Sequence, residues 1–253
     1  MARLTIDNVT FGFRESEPVV DDVSWSIPLG GFHCLVGRSG CGKTTLLKIA
    51  AGLIVPNQGR IAIDGVVVTQ PSQAVGLVFQ TPTLLQWRTV LDNVLLPRSL
   101  MRRPTRQDRA DADAVLEMVG LGTLHGRFPN ELSGGQQSRV AIARALCSKP
   151  AILLMDEPFA ALDALTREEL QNDLVALCAD TQTTVLFVTH DITEAVYLAD
   201  VVAVMRAGAI AHRMAVPFAR PRASDIRFGA EFNALCQQVH VAMSGAPVGE
   251  APR

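Results

Sequence analysis

The sequence predicts an α/β fold with a mainly parallel sheet, and three observations predict it. Short apolar runs at 32–36, 75–79, 151–155, 184–188 and 201–204 lack the alternation of half-exposed strands and read as strands buried on both faces. Helical segments separate the later runs, as a parallel sheet covered by helices requires. A glycine-rich stretch, residues 37–44, lies between the first of these strands and a helix.

Taken in order, residues 4–27 alternate apolar and polar positions with turn residues between them, which predicts an N-terminal antiparallel β subdomain. The strand at 32–36 enters the glycine-rich loop, and 45–51 continue as a helix. Residues 59–65 form a further short strand ending at a turn, and 75–79 a buried strand leading to Gln80. From about 82 to 150 the character changes to helices, loops and charges, which predicts an inserted α-helical subdomain; its basic stretch at 101–104 reads as a solvated loop. The spacings Thr166–Glu169 and Asp191–Glu194 predict capping boxes at two later helices. Residues 1–217 are expected to form one domain and 218–253 a short, irregular tail, with a short helix near 232–243 and no order over 244–253.

The chemistry is concentrated in three places. Gly37, Arg38, Ser39, Gly40, Cys41, Gly42, Lys43 and Thr44 read as a phosphate cradle. Glycines let the backbone N–H groups turn inward, Lys43 can reach outer phosphates, and the Thr44 hydroxyl can ligate Mg²⁺. The dipole of the following helix favours the same anion. Asp156 and Glu157 end a buried apolar strand, a costly place for two carboxylates without a cation or a proton to handle. In a phosphate-loop protein Asp156 is the natural Mg²⁺ partner, and Glu157 can polarise an attacking water. Ser133, Gly134, Gly135 and Gln136 form the third element. Ser133 with Gln136 fits a capping box, but a cap alone leaves the two glycines unexplained, and open backbone N–H groups there suit a second phosphate site. Two such surfaces must converge within one molecule or meet across a dimer.

Composition narrows the classes. The net charge of −2 gives no global field for nucleic acid. Charges interrupt every apolar run well before the roughly 20 residues of a membrane span, and the N-terminus lacks a signal-peptide core, so a cytosolic chain is expected. Five scattered cysteines without a CxxC pair argue against a disulfide framework or zinc site; Cys34, Cys147 and Cys178 are expected in the core. His33, His125, His212 and His240 read as structural.

These motifs, in this order over residues 4–217, resemble the nucleotide-binding subunits of the ATP-binding cassette (ABC) transporter family. The resemblance implies a P-loop NTPase core, ATP and Mg²⁺ as cofactors, and ATP hydrolysis coupled to transport. It identifies residues 37–44, with Thr45, as the phosphate loop, Gln80 as the glutamine loop, and residues 132–136 as the signature. It likewise assigns Asp163 to the D-loop and His190 as the switch histidine. Phe13 would stack on adenine, and Gln80 would touch Mg²⁺ or the attacking water and report to the permease. Alanine stands before Leu162 and Asp163 where the family often has serine, a departure expected to touch only fine cross-dimer contacts. The resemblance also implies head-to-tail homodimers sandwiching two ATP, bound to separate permease subunits with a solute-binding protein, on the inner face of the cell membrane.

Residues 83–94 resemble importers of nitrate, sulfonate and taurine, which usually carry proline where Gln86 stands; the segment 159–169 and the tail with Pro217, Pro221 and Phe232 point the same way. The chain is too short for the C-terminal regulatory domain of sugar-importer subunits. An exporter subunit, or a soluble ABC ATPase of DNA repair or translation, is the alternative. The latter would show a coiled-coil insertion, metal-binding cysteines or two cassettes.

Overall fold

The structure is a computed structural model describing residues 2–13 and 17–245. The chain divides into two compact units, Met1–Ser72 with Thr184–Arg253, and Gln73–Thr183.

The first unit opens with an antiparallel sheet, in the order β2-β1-β4-β5, of β1 (Ala2–Phe11), β2 (Val20–Pro28), β4 (Gln58–Ile63) and β5 (Val66–Val67). Leu4 and Ile6 of β1 face Ile27 and Trp25 on one side and Ile63 and Ile61 on the other. The alternation then slips, and Val9 rather than Asn8 is buried. Asn8 takes a φ of 46°, and its side chain donates to Asp22 Oδ1. The slip is therefore a bulge that re-aims the rest of the strand.

The same unit holds β3 (Phe32–Val36), flanked in parallel by β8 (Thr184–Thr189) and β9 (Val201–Arg206), with β10 (Ala209–Ala215) antiparallel on β9. All five residues of β3 and all six of β8 are buried, which is why both read as mainly apolar runs without alternation, with His33, Thr184 and Thr189 as buried polar exceptions. Helix α1 (Lys43–Ala50) packs on β8, and α7 (Ile192–Leu198) packs on β3.

The tail carries the helix the sequence predicts near 232–243, starting two residues earlier and ending one later. Helix α8 (Ala230–Ser244) buries Phe232, Leu235, Val239 and Ala242 and packs on α7 and β9. Before it, the Arg222 guanidinium donates to Val196 O at 3.2 Å and Ala199 O at 2.8 Å, capping the carbonyl end of α7. Tyr197 returns a hydroxyl bond to Arg222 O at 3.1 Å. These long-range partners are invisible in local sequence pattern. Of the stretch expected to lack order, residues 246–253 lie outside the described residues; Ser244 ends α8.

The second unit contains the parallel pair β6 (Val75–Val78) and β7 (Ile152–Asp156), with Val78 in register with Met155. Its helices are α2 (Val90–Val94), α3 (Leu96–Ser99), α4 (Arg106–Met118), α5 (Gly134–Cys147) and α6 (Ala164–Thr181). Helix α5 packs on α2, α4 and β6 and buries most of its apolar residues. The expected box at Thr166–Glu169 is absent: Asp163 is the N-cap of α6, accepting from Thr166 N at 3.0 Å, so the helix starts earlier. At α7 the Asp191 half of the expected box is present: Asp191 is the N-cap and accepts from Glu194 N at 3.1 Å. Cys34, Cys147 and Cys178 are buried, as the sequence predicts.

Candidate functional site

In the first unit the phosphate loop joins β3 to α1. Gly42 sits at the N-cap with φ 105°, and a Cβ there would lie 2.3 Å from Val19 O. A Cβ on Gly37 would meet Met205 O at 2.4 Å. Neither position admits a side chain. Lys43 Nζ donates to Gly37 O at 2.8 Å and Arg38 O at 3.0 Å, so the buried ammonium rests on neutral carbonyls of its own loop. No side chain caps α1, and its first turn holds no acid. A tight loop, a helix start without competing carboxylates and a lysine without a carboxylate partner among the described residues all fit an anion. Arg38, Ser39, Gly40 and Thr44 are exposed, and Cys41 and Thr45 half-buried.

Two more expected residues belong to this unit. Val36 pairs in register with Thr189 in the parallel β3–β8 ladder, so Gly37 and His190 leave neighbouring strands at the same carboxyl end. That end is where open α/β sheets bind ligands. His190 is exposed, and Asp191 N donates to Thr189 Oγ1 at 3.0 Å, turning the chain from β8 into α7. Phe13 is 57 % exposed and meets Phe11 edge-on, with ring centroids 4.9 Å apart. It thus keeps a flat apolar surface toward solvent.

The second unit brings Gln80 and Glu157 together. The β6–β7 register places both just beyond the carboxyl ends of adjacent parallel strands. Gln80 Nε2 donates to Glu157 Oε2 at 3.3 Å. Asp156, the last residue of β7, is only 5 % exposed, whereas Glu157 takes a φ of 47° that swings it off the strand line.

Past Gln80 the chain is held by two side chains that sequence reasoning did not single out. Asn93 of α2 accepts from Leu85 N at 2.8 Å and donates to Leu85 O, Arg88 O and Thr89 O at 3.0 to 3.1 Å. Arg144 of α5 donates to Pro82 O and Thr83 O, each at 2.9 Å. Each had a signal: Asn93 stands in an apolar helical stretch, and Arg144 is the sole charge between Val140 and Cys147. A polar group at such a position needs a partner.

The signature lies at the start of α5 in the same unit. Ser133 Oγ accepts from Gln136 N at 3.3 Å and Gln136 Oε1 from Ser133 N at 2.9 Å, the capping box the sequence predicts. The two glycines differ. A Cβ on Gly135 would lie 3.2 Å from Ala161 O and from Leu162, so close packing against the D-loop explains it. A Cβ on Gly134 would meet nothing within 4 Å. Nothing inside the chain's own fold requires glycine there. Asp163 serves as the α6 cap, and its bond from the Thr166 amide holds its carboxyl below the usual range.

Trp87 is 74 % exposed, which excludes a core role. With Gln86, Arg127, Phe128 and Glu131 it lines a groove of about 950 Å³ in this unit. Among the described residues no group of three or more His, Cys, Asp or Glu could hold a metal, and no helix is long and apolar enough to cross a membrane.

Comparison with known proteins agrees with this arrangement. The ABC transporter family pattern matches residues 20–160. The taurine import ATP-binding protein TauB of Rhizobium johnstonii is 45 % identical over 224 residues, 87 % of this chain and 86 % of that protein. The nitrate import ATP-binding protein NrtD of Synechococcus elongatus is 43 % identical over 208 residues, 80 % of this chain and 76 % of that one. Among solved structures, the dimeric ATP-binding cassette MJ0796 in a post-hydrolysis state bound to ADP and Pi superposes with a TM-score of 0.78 at 32 % identity, covering 85 % of this chain and 100 % of the other. With the glycine-shaped loop, the Gln80–Glu157 pair and the capped signature helix all in place, the chain belongs to the ABC transporter family.

Proposed function

We propose that this chain is the ATP-hydrolysing subunit of an ABC importer and energises uptake of a small solute of the nitrate, sulfonate or taurine kind through a separate permease. The hydrolytic part rests above all on the contact between Gln80 and Glu157, which keeps a carboxylate on a hydrogen-bonding amide at the end of β7. The import part rests on similar proteins named for taurine and nitrate import.

In this reading residues 37–45 hold the ATP phosphates, with Lys43 exchanging its loop carbonyls for phosphate oxygens. Phe13 supplies a face for adenine. Thr44, Asp156 and Gln80 offer hard oxygen donors, the set that Mg²⁺ prefers, and Mg²⁺ when bound neutralises phosphate charge. Glu157 accepts the proton of the attacking water, and His190 and Gln80 hold the terminal phosphate and the water in line. Ser133, Gly134, Gly135 and Gln136 address the nucleotide of a second copy, with Asp163 beside them. Dimeric packing in the MJ0796 cassette supports this pairing. The chain then works in the cytoplasm against the inner membrane face, with permease subunits and a solute-binding protein.

Reconstitution tests the proposal: the chain with a permease and a solute-binding protein of an importer for such solutes from the same organism, in vesicles loaded with MgATP. ATP-dependent accumulation of labelled taurine, an alkanesulfonate or nitrate is expected. ATP hydrolysis without accumulation of any of the three would refute the solute class. Absence of hydrolysis would refute the whole reading.

A further inference from the structure

Arg144 ties the signature helix to the glutamine loop. Its Nη1 donates to Thr83 O at 2.9 Å, and its Nη2 to Pro82 O at 2.9 Å and Thr83 Oγ1 at 3.2 Å. Thr83 has a φ of 46°. A β-branched residue in the left-handed region is a backbone outlier that persists only where its surroundings hold it. The guanidinium is half-buried among neutral oxygens, and burial pulls it below its ordinary range.

We propose that Arg144 is a positioning residue: it holds Thr83 in the left-handed conformation and so sets the place of Gln80 beside Glu157. The inference rests on the hydrolytic role proposed above for that pair. Little slack separates clamp from glutamine. Only Thr81 and Pro82 intervene; proline fixes its own φ and restricts the residue before it to extended backbone. On the far side, Asn93 pins Leu85 through both its amide and its carbonyl, so the loop is gripped at both ends. Arg144 also shares one helix with Gly134 and Gly135. Displacement of the signature end of α5 therefore carries the clamp with it, and the glutamine loop follows.

The test uses the full chain with Arg144→Ala, Arg144→Lys, and Arg144→Ala combined with Thr83→Gly. Glycine adopts positive φ without a clamp. Arg144→Ala is expected to lower kcat about tenfold or more, while KM for ATP changes less than about twofold. Lysine lacks the planar fork, so Arg144→Lys stays slow. Thr83→Gly in the Arg144→Ala background returns most of the lost kcat, a rescue that loss of packing alone would not allow. In the nucleotide-free chain, amide exchange over residues 81–86 speeds up in Arg144→Ala and slows again in the double variant. Wild-type kcat in Arg144→Ala, or a double variant as slow as the single one, overturns the role of Arg144 while leaving the hydrolytic reading intact. A wild-type chain that hydrolyses no ATP overturns both.

Discussion

Glu157 accepts a hydrogen bond from Gln80 at 3.3 Å, although the two residues stand on different strands and 77 positions apart in the chain. The parallel register of β6 and β7 makes that meeting possible, and the positive φ of Glu157 completes it. The bond fixes the orientation of the carboxylate at the end of β7, as a positioned general base requires.

Glu157→Gln replaces that acceptor by an amide of the same shape. ATP binding is expected to persist while turnover falls by on the order of 10²–10⁴, the usual worth of a positioned general base. An ATP-bound dimer should accumulate on size-exclusion chromatography. Wild-type turnover in the purified variant would remove Glu157 from the reaction.

His33 predicts how the fold responds to acid. It is 5 % exposed on β3, stacks near Trp25 with centroids 5.5 Å apart, and its Nδ1 has no hydrogen-bond partner among the described residues. Burial lowers its pKa from 6.5 to about 4, against an opposing pull from Asp200. The unfolded chain thus takes up this proton below about pH 6.5 while the folded chain stays neutral until about pH 4. Stability falls as pH drops through that window, by at most about 3 kcal/mol from this group, and the group adds no further loss below it. Urea unfolding of wild type and His33→Phe at pH 7 and pH 5 should show a smaller acid loss in the variant. Equal losses would show that the proton goes elsewhere.

Much of this arrangement was legible because its signals are local. The phosphate loop needs glycine where a Cβ would strike Val19 O or Met205 O, and strands flanked on both sides are buried at every position and mostly apolar, with no alternation. The other features were harder to read, some because neighbouring residues compete for one role and some because the partners lie far away in sequence. Asp163 and Thr166 both offer plausible cap chemistry, and the observed fold starts α6 from Asp163. The segment before α8 reads as irregular because Arg222 finds its partners on α7. Arg144 and Asn93 were passed over because their bonds go to backbone carbonyls, which carry no residue identity for a motif to record.

Trp87 separates surface from core. A residue 74 % exposed contributes little to the fold, so Trp87→Ala should change stability by no more than about 0.5 kcal/mol. If the groove it lines receives a permease segment, the same change should weaken co-purification by at least about 2 kcal/mol of binding, the scale of an aromatic anchor. Pull-down and thermal melting on one preparation decide it. Unchanged capture of the permease would place the docking surface elsewhere.

Gly134 offers the sharpest contrast between what the fold needs and what the function needs. Ala fits there without contact and belongs in a helix better than glycine, so Gly134→Ala should leave the melting temperature unchanged or raise stability by up to about 1 kcal/mol. Gly135→Ala must instead push against Ala161 O and Leu162, and should lower it. If the open face at Gly134 is the surface that meets the nucleotide of a second copy, the stable variant should lose ATP-dependent dimerisation and most of its hydrolysis. ATP binding to its own phosphate loop should remain intact. Sedimentation with ATP in the Glu157→Gln background reads the dimer directly, free of turnover. A Gly134→Ala chain that still dimerises with ATP and hydrolyses at the wild-type rate would leave this glycine without a role in either fold or function, and the signature would have to act through Ser133, Gly135 and Gln136.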